Sequence, residues 1–259
     1  MRFFKDVKKY FHYMIYAAKS QLRSEVSNSY LDWVWWILEP FCNMLIYTFI
    51  FGYVFNAKEP YFPAFIFIGI SMWSFFSRTL NASVKLIKSN KAIVTKVYIP
   101  KQILLLKLIL VNAFKMLLSF LIVILMMLAY RINLSICFLY AIPAIVILFL
   151  ITYGISCFLV HFGVYVEDLA YIVSIFLSMM MYLTGIFYSI ENRVPDPFGY
   201  LLNIYNPIAF LIHTMRNSLL YQKGTSAVFL MFWLLISLLI AVIGTQLIYK
   251  NENNYVKVV

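Results

Sequence analysis

Charge is what this sequence has least of. Only 12% of its 259 residues are charged and 64% are hydrophobic, whereas soluble domains are nearer a quarter charged and half apolar. A soluble core of this size cannot hide 24 Phe, 20 Tyr and 12 Met beside the Leu, Ile and Val. Lipid as the surrounding solvent removes that difficulty. Acidic residues are the scarcer kind: 10 Asp and Glu stand against 21 Lys and Arg, a net charge of +11. That excess does not point to nucleic acid. The basic residues lie in short blocks between apolar runs, the arrangement that orients spanning helices.

Motifs for chemistry are missing too. No G-x-x-x-x-G-K-[ST] occurs, so no nucleotide is cradled by that route, and no H-E-x-x-H or D-x-D occurs. Gly69-Ile70-Ser71 and Gly154-Ile155-Ser156 lack the closing glycine of a nucleophile elbow. The three cysteines, Cys42, Cys137 and Cys157, form no C-x-x-C pair and imply neither a disulfide framework nor a zinc motif. His12, His161 and His213 fall on separate predicted segments and read as lone interfacial or packing residues. The expectation is a chain without catalytic residues, metal or cofactor of its own. No cleavable signal peptide is expected either, because the first long apolar run begins only near Val34.

What the sequence does hold is apolar runs of spanning length. They cover about 34–56, 62–82, 108–130, 137–160, 169–189 and 227–249, each near the ~20 residues that cross a hydrocarbon core. Ahead of them, Phe3, Val7, Tyr10, Met14, Ala18 and Leu22 recur at helical spacing, with Lys5, Lys8, Lys9 and Lys19 on the other side. That is a basic amphipathic helix, the pattern of a segment lying in the membrane interface. The alternative is a cytoplasmic helix packed on a partner. The fold class predicted is all-α integral membrane: six spans, an N-terminal interface helix and short re-entrant outer helices before the last span. It reads as one domain over 1–259, with the interface helix in 1–33, the bundle in 34–249 and a cytoplasmic tail in 250–259.

The basic blocks orient that bundle. With both termini cytoplasmic, the inner segments 1–33, 83–107 and 250–259 carry fourteen Lys and Arg, and the outer ones carry five: Lys58, Arg131, Arg193, Arg216 and Lys223. The inner connection 161–168 has none, only Glu167 and Asp168. The inner connection 83–107 reads as a basic helix ended by Ile99-Pro100. The outer connection 190–226 holds Pro195, Pro197 and Pro207, then Ile208, Leu211, Ile212, Met215 and Leu219 on one face. It reads as proline-broken helices dipping into the outer leaflet, a backbone tolerated where protein or a cavity buries it.

Polar residues inside the runs form four stripes. Glu39, Asn43 and Tyr47 follow at four-residue steps and share a face. Ser71, Ser74, Phe75 and Arg78 make a second, Asn112, Lys115 and Ser119 a third, and Ser174, Ser178 and Tyr182 a fourth. An ionisable group in lipid is costly and marks function by default; near the headgroups it is instead a cap or an ion pair. Such stripes either hydrogen-bond helices together or wall a conduit. The aromatic share, 19%, fits interface belts, and Tyr and Trp faces also stack on sugar rings while their polar tips bond hydroxyls.

Several of these residues carry a resemblance. Trp36-x-x-Glu39-Pro40, then Tyr47 and Phe51-Gly52-x-Val54-Phe55, resemble the permease subunit of polysaccharide ABC exporters, in the type-2 ABC permease family that handles O-antigen, capsule and teichoic acid chains. Tyr98-Ile99-Pro100-Lys101, and Asn206-Pro207 with Arg216, resemble its later patterns in order and spacing along nearly the whole chain. Glu167-Asp168-Leu169 departs from the Arg-Asp-Leu often found there.

The resemblance implies a homodimer in the bacterial cytoplasmic membrane, bound to two copies of a separate ABC ATPase that carries ATP and Mg. Its cargo is then a lipid-linked glycan, with no nucleic acid involved. It suggests Glu39, Asn43, Tyr47, Arg78, Ser178 and Tyr182 for the conduit. Lys85, Lys88, Lys91, Lys96, Glu167 and Asp168 are candidates for coupling to the ATPase, and Asn206, Pro207 and Arg216 for an outer gate. A drug or lipid exporter on the same fold, a membrane-embedded glycosyl- or acyltransferase, and a channel or scaffold remain as other readings.

Overall fold

The computed structural model of the chain describes residues 2–27, 30, 32–57, 59–133 and 135–258. Every regular element among them is helical. This follows from the composition: in lipid each backbone N–H and C=O needs an internal partner, and a helix supplies all of them within one segment.

Helix α1 spans Arg2–Val26. Helix α2 spans Trp35–Tyr47, with Pro40 inside it, and continues as a π-helix over Thr48–Val54. Helix α3 covers Phe62–Val84, opened by Pro63, whose fixed φ suits a first turn. Two single turns follow, α4 at Leu86–Ser89 and α5 at Lys91–Val94. Helix α6 runs over Lys101–Ala129 from Pro100, and α7 over Ala141–Tyr165 after a 3₁₀ turn. Helix α8 is Leu169–Leu183. Three short helices follow, α9 at Ile190–Arg193, α10 at Phe198–Tyr205 and α11 at Pro207–Leu219. Helix α12, Ala227–Val258, ends the fold.

Five of these are long and apolar enough to cross a membrane: Trp35–Val54, Phe62–Val84, Lys101–Ala129, Ile136–Tyr165 and Ala227–Tyr255. The fifth apolar run, expected over 169–189, is shorter as a helix. At 15 residues α8 reaches roughly 22 Å, because the chain leaves the helix at Thr184 and takes a left-handed conformation at Gly185. The single basic helix expected over 83–107 is instead two turns, α4 and α5, followed by an extended stretch at Tyr98–Pro100. Residues 250–258 continue α12 as helix.

Helix α3 is the most buried of the five. It packs against α2, α6, α7 and α8. Helices α7 and α12 make the broadest contact, and two glycines permit it. A Cβ on Gly154 would lie 2.9 Å from the Ala241 backbone nitrogen, and one on Gly244 would lie 2.7 Å from Cys157 Cβ. Small residues let helix backbones approach where lipid gives no hydrophobic drive to association.

Helix α1 lies along α6 with Met14 and Ala18 buried, Met14 against Ile99 and Ile103. Its lysines and several aromatics, including Phe4, Phe11 and Tyr16, stay exposed. Arg2 ties its start to Glu252 on α12, which also accepts from Tyr98 Oη at 3.0 Å.

The connections sort into two ends. At the lysine-rich end lie α4, α5, Glu167, Tyr98 and Glu252, joined by Lys88–Glu167 and Tyr98–Glu252. At the proline-rich end, Asn192 bonds Glu59, Gln222 bonds the Asn133 carbonyl, and the Tyr61 and Tyr130 rings meet. Lys58, counted above among the outer basic residues, lies outside the described residues.

Candidate functional site: an aromatic wall and the polar stripes

Two of the four stripes face each other across one crevice. Ser71, Ser74 and Arg78 of α3 and Asn112, Lys115 and Ser119 of α6 line it, with Trp36 and Pro40 of α2 at its rim. Its volume is about 30 Å³, roughly one water molecule's share of the liquid. Asn112 Nδ2 donates to Thr79 Oγ1 at 3.0 Å, which joins α6 to α3, whereas Ser71 Oγ bonds only within its own helix, at the Phe67 carbonyl. Lys115 pairs with Glu25 from α1 and sits 5.9 Å from the Trp36 ring. Glu25 was not singled out by sequence: nothing at the C-terminal end of α1 announces a partner 90 residues away.

Glu39 meets Arg78. Arg78 Nη2 lies 2.6 Å from Glu39 Oε1, and both side chains are about half exposed. The two residues, read separately as conduit candidates, thus form one ion pair between α2 and α3. Asn43 and Tyr47, along the same α2 face, are partly buried.

Tyr47 leads into an aromatic wall that sequence reading did not assemble. Phe187, just beyond α8, lies 4.7 Å centroid to centroid from both Tyr47 and Phe51. Phe51 stacks in turn on Phe55, and Tyr182 stands 6.0 Å from Phe187. Tyr47 and Tyr182 are therefore brought together around Phe187. Phe51, Phe55 and Phe187 border a cleft of about 340 Å³ with Tyr188 and Glu59. Ser174, Ser178 and Tyr182 are exposed on α8. Ser178 Oγ donates to the Ser174 carbonyl, a local back-bond that leaves the face uncommitted.

The coupling candidates divide. Lys88 Nζ lies 3.2 Å from Glu167 Oε1, which joins the connection after α3 to the one before α8. Lys85, Lys91 and Lys96 are exposed, as is Asp168's neighbour Glu167. Asp168 opens α8, and its carbonyl accepts from Tyr171 and Ile172. Tyr98-Ile99-Pro100-Lys101 is the joint into α6, with Ile99, Pro100 and Lys101 buried.

The gate candidates are structural hubs. Asn206 Oδ1 accepts from the Ile208 and Ala209 backbone amides, capping α11, while its Nδ2 donates to Thr184 Oγ1. Pro207 fills the first position of that helix. Arg216 is buried and donates to three carbonyls: Phe65 at 3.0 Å, Gly185 at 2.8 Å and Ile186 at 2.8 Å. Its guanidinium lies 3.3 Å over the Phe65 ring. Helix α11 is buried well beyond the expected face, with Phe210, Thr214 and Ser218 covered as well. Protein thus encloses it on nearly every side.

A second polar space at this end was not foreseen. It holds about 230 Å³ between the Glu59–Pro60 turn and α9–α11. His213 Nε2 lies 3.3 Å from Glu191 Oε1 there, so His213 is not the lone histidine the sequence suggested. His161, by contrast, bonds Tyr255 Oη at 2.9 Å as a packing residue. Burial pushes the His213 imidazole below its ordinary range against the pull of Glu191, and Arg216 and Lys223 lower it further. Among the described residues, no group of three or more His, Cys, Asp or Glu side chains is placed to hold a metal.

Comparison with known proteins follows the same outline. A profile of the ABC-2 type transporter family matches residues 16–220. The O-antigen export system permease protein RfbA of Klebsiella pneumoniae is 24% identical over 216 residues, covering 83% of this chain and 82% of the relative. Its namesake from Myxococcus xanthus is 25% identical over 223 residues, 86% and 85% of the two chains. The polysialic acid transport protein KpsM of Escherichia coli is 22% identical over 226 residues, 85% and 87% of the two.

Proposed function

The chain belongs to the ABC-2 type transporter family, and from that membership we infer that it is the permease subunit of an exporter of lipid-linked polysaccharide. The observation that carries the reading is similarity to O-antigen and polysialic acid permeases along more than four-fifths of both lengths. The aromatic wall of Tyr47, Phe51, Phe55, Tyr182 and Phe187 supports it in geometry. Phe55 and Tyr182 are exposed, Tyr47 and Phe51 are partly buried and Phe187 is buried behind them; exposed aromatic faces stack on sugars, and a Tyr tip adds a hydrogen bond.

The chain crosses the bacterial cytoplasmic membrane six times, with both termini cytoplasmic. The sorting of connections into two ends supports α8 as a crossing despite its 15 residues. Its first residues adjoin the Lys88–Glu167 pair, and the chain just beyond its end meets Asn206 and Arg216. The whole chain is one permease domain, with α1 in the interface plane and α9–α11 re-entrant from outside. Two copies form the conduit, and two copies of a separate ATPase supply ATP and Mg. The Lys88–Glu167 contact carries motion from the ATPase to α8. The conduit face is α2 with α8, because the crevice between the Ser71–Arg78 and Asn112–Ser119 stripes has space for about one water only.

The test is a mild-detergent pull-down of the tagged chain, followed by ATP hydrolysis with and without lipid-linked glycans. A stoichiometric ATPase partner whose turnover rises with glycan is expected. Turnover that responds only to drugs or simple lipids would favour another cargo, and a chain that purifies alone without hydrolysis overturns the exporter.

A further inference from the structure

The polar space beneath α9–α11 has the chemistry of a ligand site. Two positive side chains border it, Arg216 and Lys223, and two carboxylates, Glu59 and Glu191. The two fixed positive charges match the two carboxylates, so these lining charges balance. That balance excludes small ions. An anion would face both carboxylates. A cation would face Arg216, whose guanidinium is anchored to three carbonyls and cannot withdraw or lose its proton.

What remains is a neutral ligand rich in donors and acceptors. Two buried atoms of residues that line it, Tyr221 Oη and Asn203 Oδ1, have no hydrogen-bond partner among the described residues. Buried polar atoms normally have one. A hydroxyl group donates and accepts at once, so it satisfies a phenol, an amide oxygen and a carboxylate alike. The volume of about 230 Å³ is below the ~300–1,000 Å³ of pockets for drug-sized ligands and several times one water's ~30 Å³. One six-membered polyol ring is of that size. Glu59 and Ser189 line both this space and the aromatic cleft of Phe51, Phe55 and Phe187. The polar space thus adjoins the cleft of those rings.

We propose that this cavity binds one uncharged pyranose ring, held by Glu59, Glu191, Asn203 and Tyr221. The ring comes either from the exported chain or from a saccharide outside the cell. Only the first source rests on the polysaccharide reading above.

The test uses the full-length chain in lipid nanodiscs and saturation-transfer NMR. The probes are methyl glucoside, methyl mannoside and methyl galactoside, with glucuronate and glucosamine as charged counterparts. At least one neutral glycoside should receive saturation at least fivefold more strongly than either charged sugar. Tyr221→Phe and Glu59→Gln should each cut that signal at least fivefold without changing thermal unfolding, and Tyr16→Phe on α1 should leave it intact. Absence of transfer to every neutral glycoside, equal signal in Tyr221→Phe and Glu59→Gln, or preference for a charged sugar overturns the site. Surface glycan measured in cells carrying the same variants identifies the source. Export lost with binding assigns the ring to the cargo, and export intact with binding lost assigns it to an outside saccharide. Binding in a chain that exports no glycan sinks the exporter and keeps the site.

Discussion

Arg78 on α3 reaches Glu39 on α2, with Nη2 2.6 Å from Oε1. The pair anchors the least buried spanning-length helix to the most buried one. Glu39 precedes Pro40, which removes a backbone donor inside α2. The ion pair therefore sits at the helix's weakest turn and sets how α2 leans on α3. An exposed pair of this kind contributes only about 0–1 kcal/mol to stability, so its loss should leave a folded chain. Glu39→Ala or Arg78→Ala should lower surface glycan at unchanged membrane abundance. The double exchange Glu39→Arg with Arg78→Glu should recover at least half of it. Quantitative surface staining against immunoblot reads both, and no recovery in the exchange would mean that each charge acts on its own.

Lys88 and Glu167 join two connections that sequence alone treats as unrelated. Glu167→Lys should break the contact and repel, giving ATP hydrolysis in the assembled complex that no longer rises with glycan. Combining it with Lys88→Glu should restore the response, whereas Lys91→Gln should do neither. Measured stimulation ratios decide this, and a fully responsive Glu167→Lys complex would remove the contact from the coupling path.

Arg216 bonds the carbonyls of Phe65, Gly185 and Ile186. Arg216→Met strands three buried acceptors at ~1–3 kcal/mol each. Its accumulation in membranes should fall several-fold, with a lower unfolding temperature in detergent. Arg216→Lys keeps the charge but cannot spread over three acceptors, and should be nearly as damaging. Gly69→Ala tests the same joint from the other side, because its Cβ would lie 2.7 Å from Arg216 Nη2. A stable Arg216→Met chain would assign the arginine to cargo rather than to architecture.

Asn206 is the only side-chain cap resolved on α11. Asn206→Ala should cost about 1 kcal/mol from the cap, plus the bond to Thr184, while Asn206→Ser and Asn206→Asp should retain most of the stability. Thermal unfolding in detergent ranks the three. Equal melting of the alanine and serine variants would show that the cap carries no weight.

Much of the architecture is legible in the residues. Runs of apolar side chains with few charges have one solvent that suits them, and period 3.6 in Phe3 to Leu22 marks α1 before any contact is known. Proline spacing in 190–226 foretells α9–α11. The extent of α8 is not legible, since Phe187 and Ile186 are as apolar as the helix before them. Only the backbone turn at Gly185, held by Arg216, ends it.

Composition, hydropathy period and the placing of basic blocks determine a helical membrane protein by local physics alone, because burial in lipid and backbone hydrogen bonding act on each segment separately. They also name most of the polar residues that matter. Which of those residues meet is settled only when helices pack. Ser71–Arg78 could line a conduit or bond a neighbour, and nothing in the stripe distinguishes the two. The closeness of α3 to α6 leaves space for about one water beside the stripe, and Arg78 at its end pairs with Glu39. Packing also brings Tyr47 and Tyr182 together around Phe187, and it gathers Glu59 from one stretch with Glu191, Asn203 and Tyr221 from another around one space. Such convergence depends on inter-helix distance and rotation, quantities that a linear pattern does not contain.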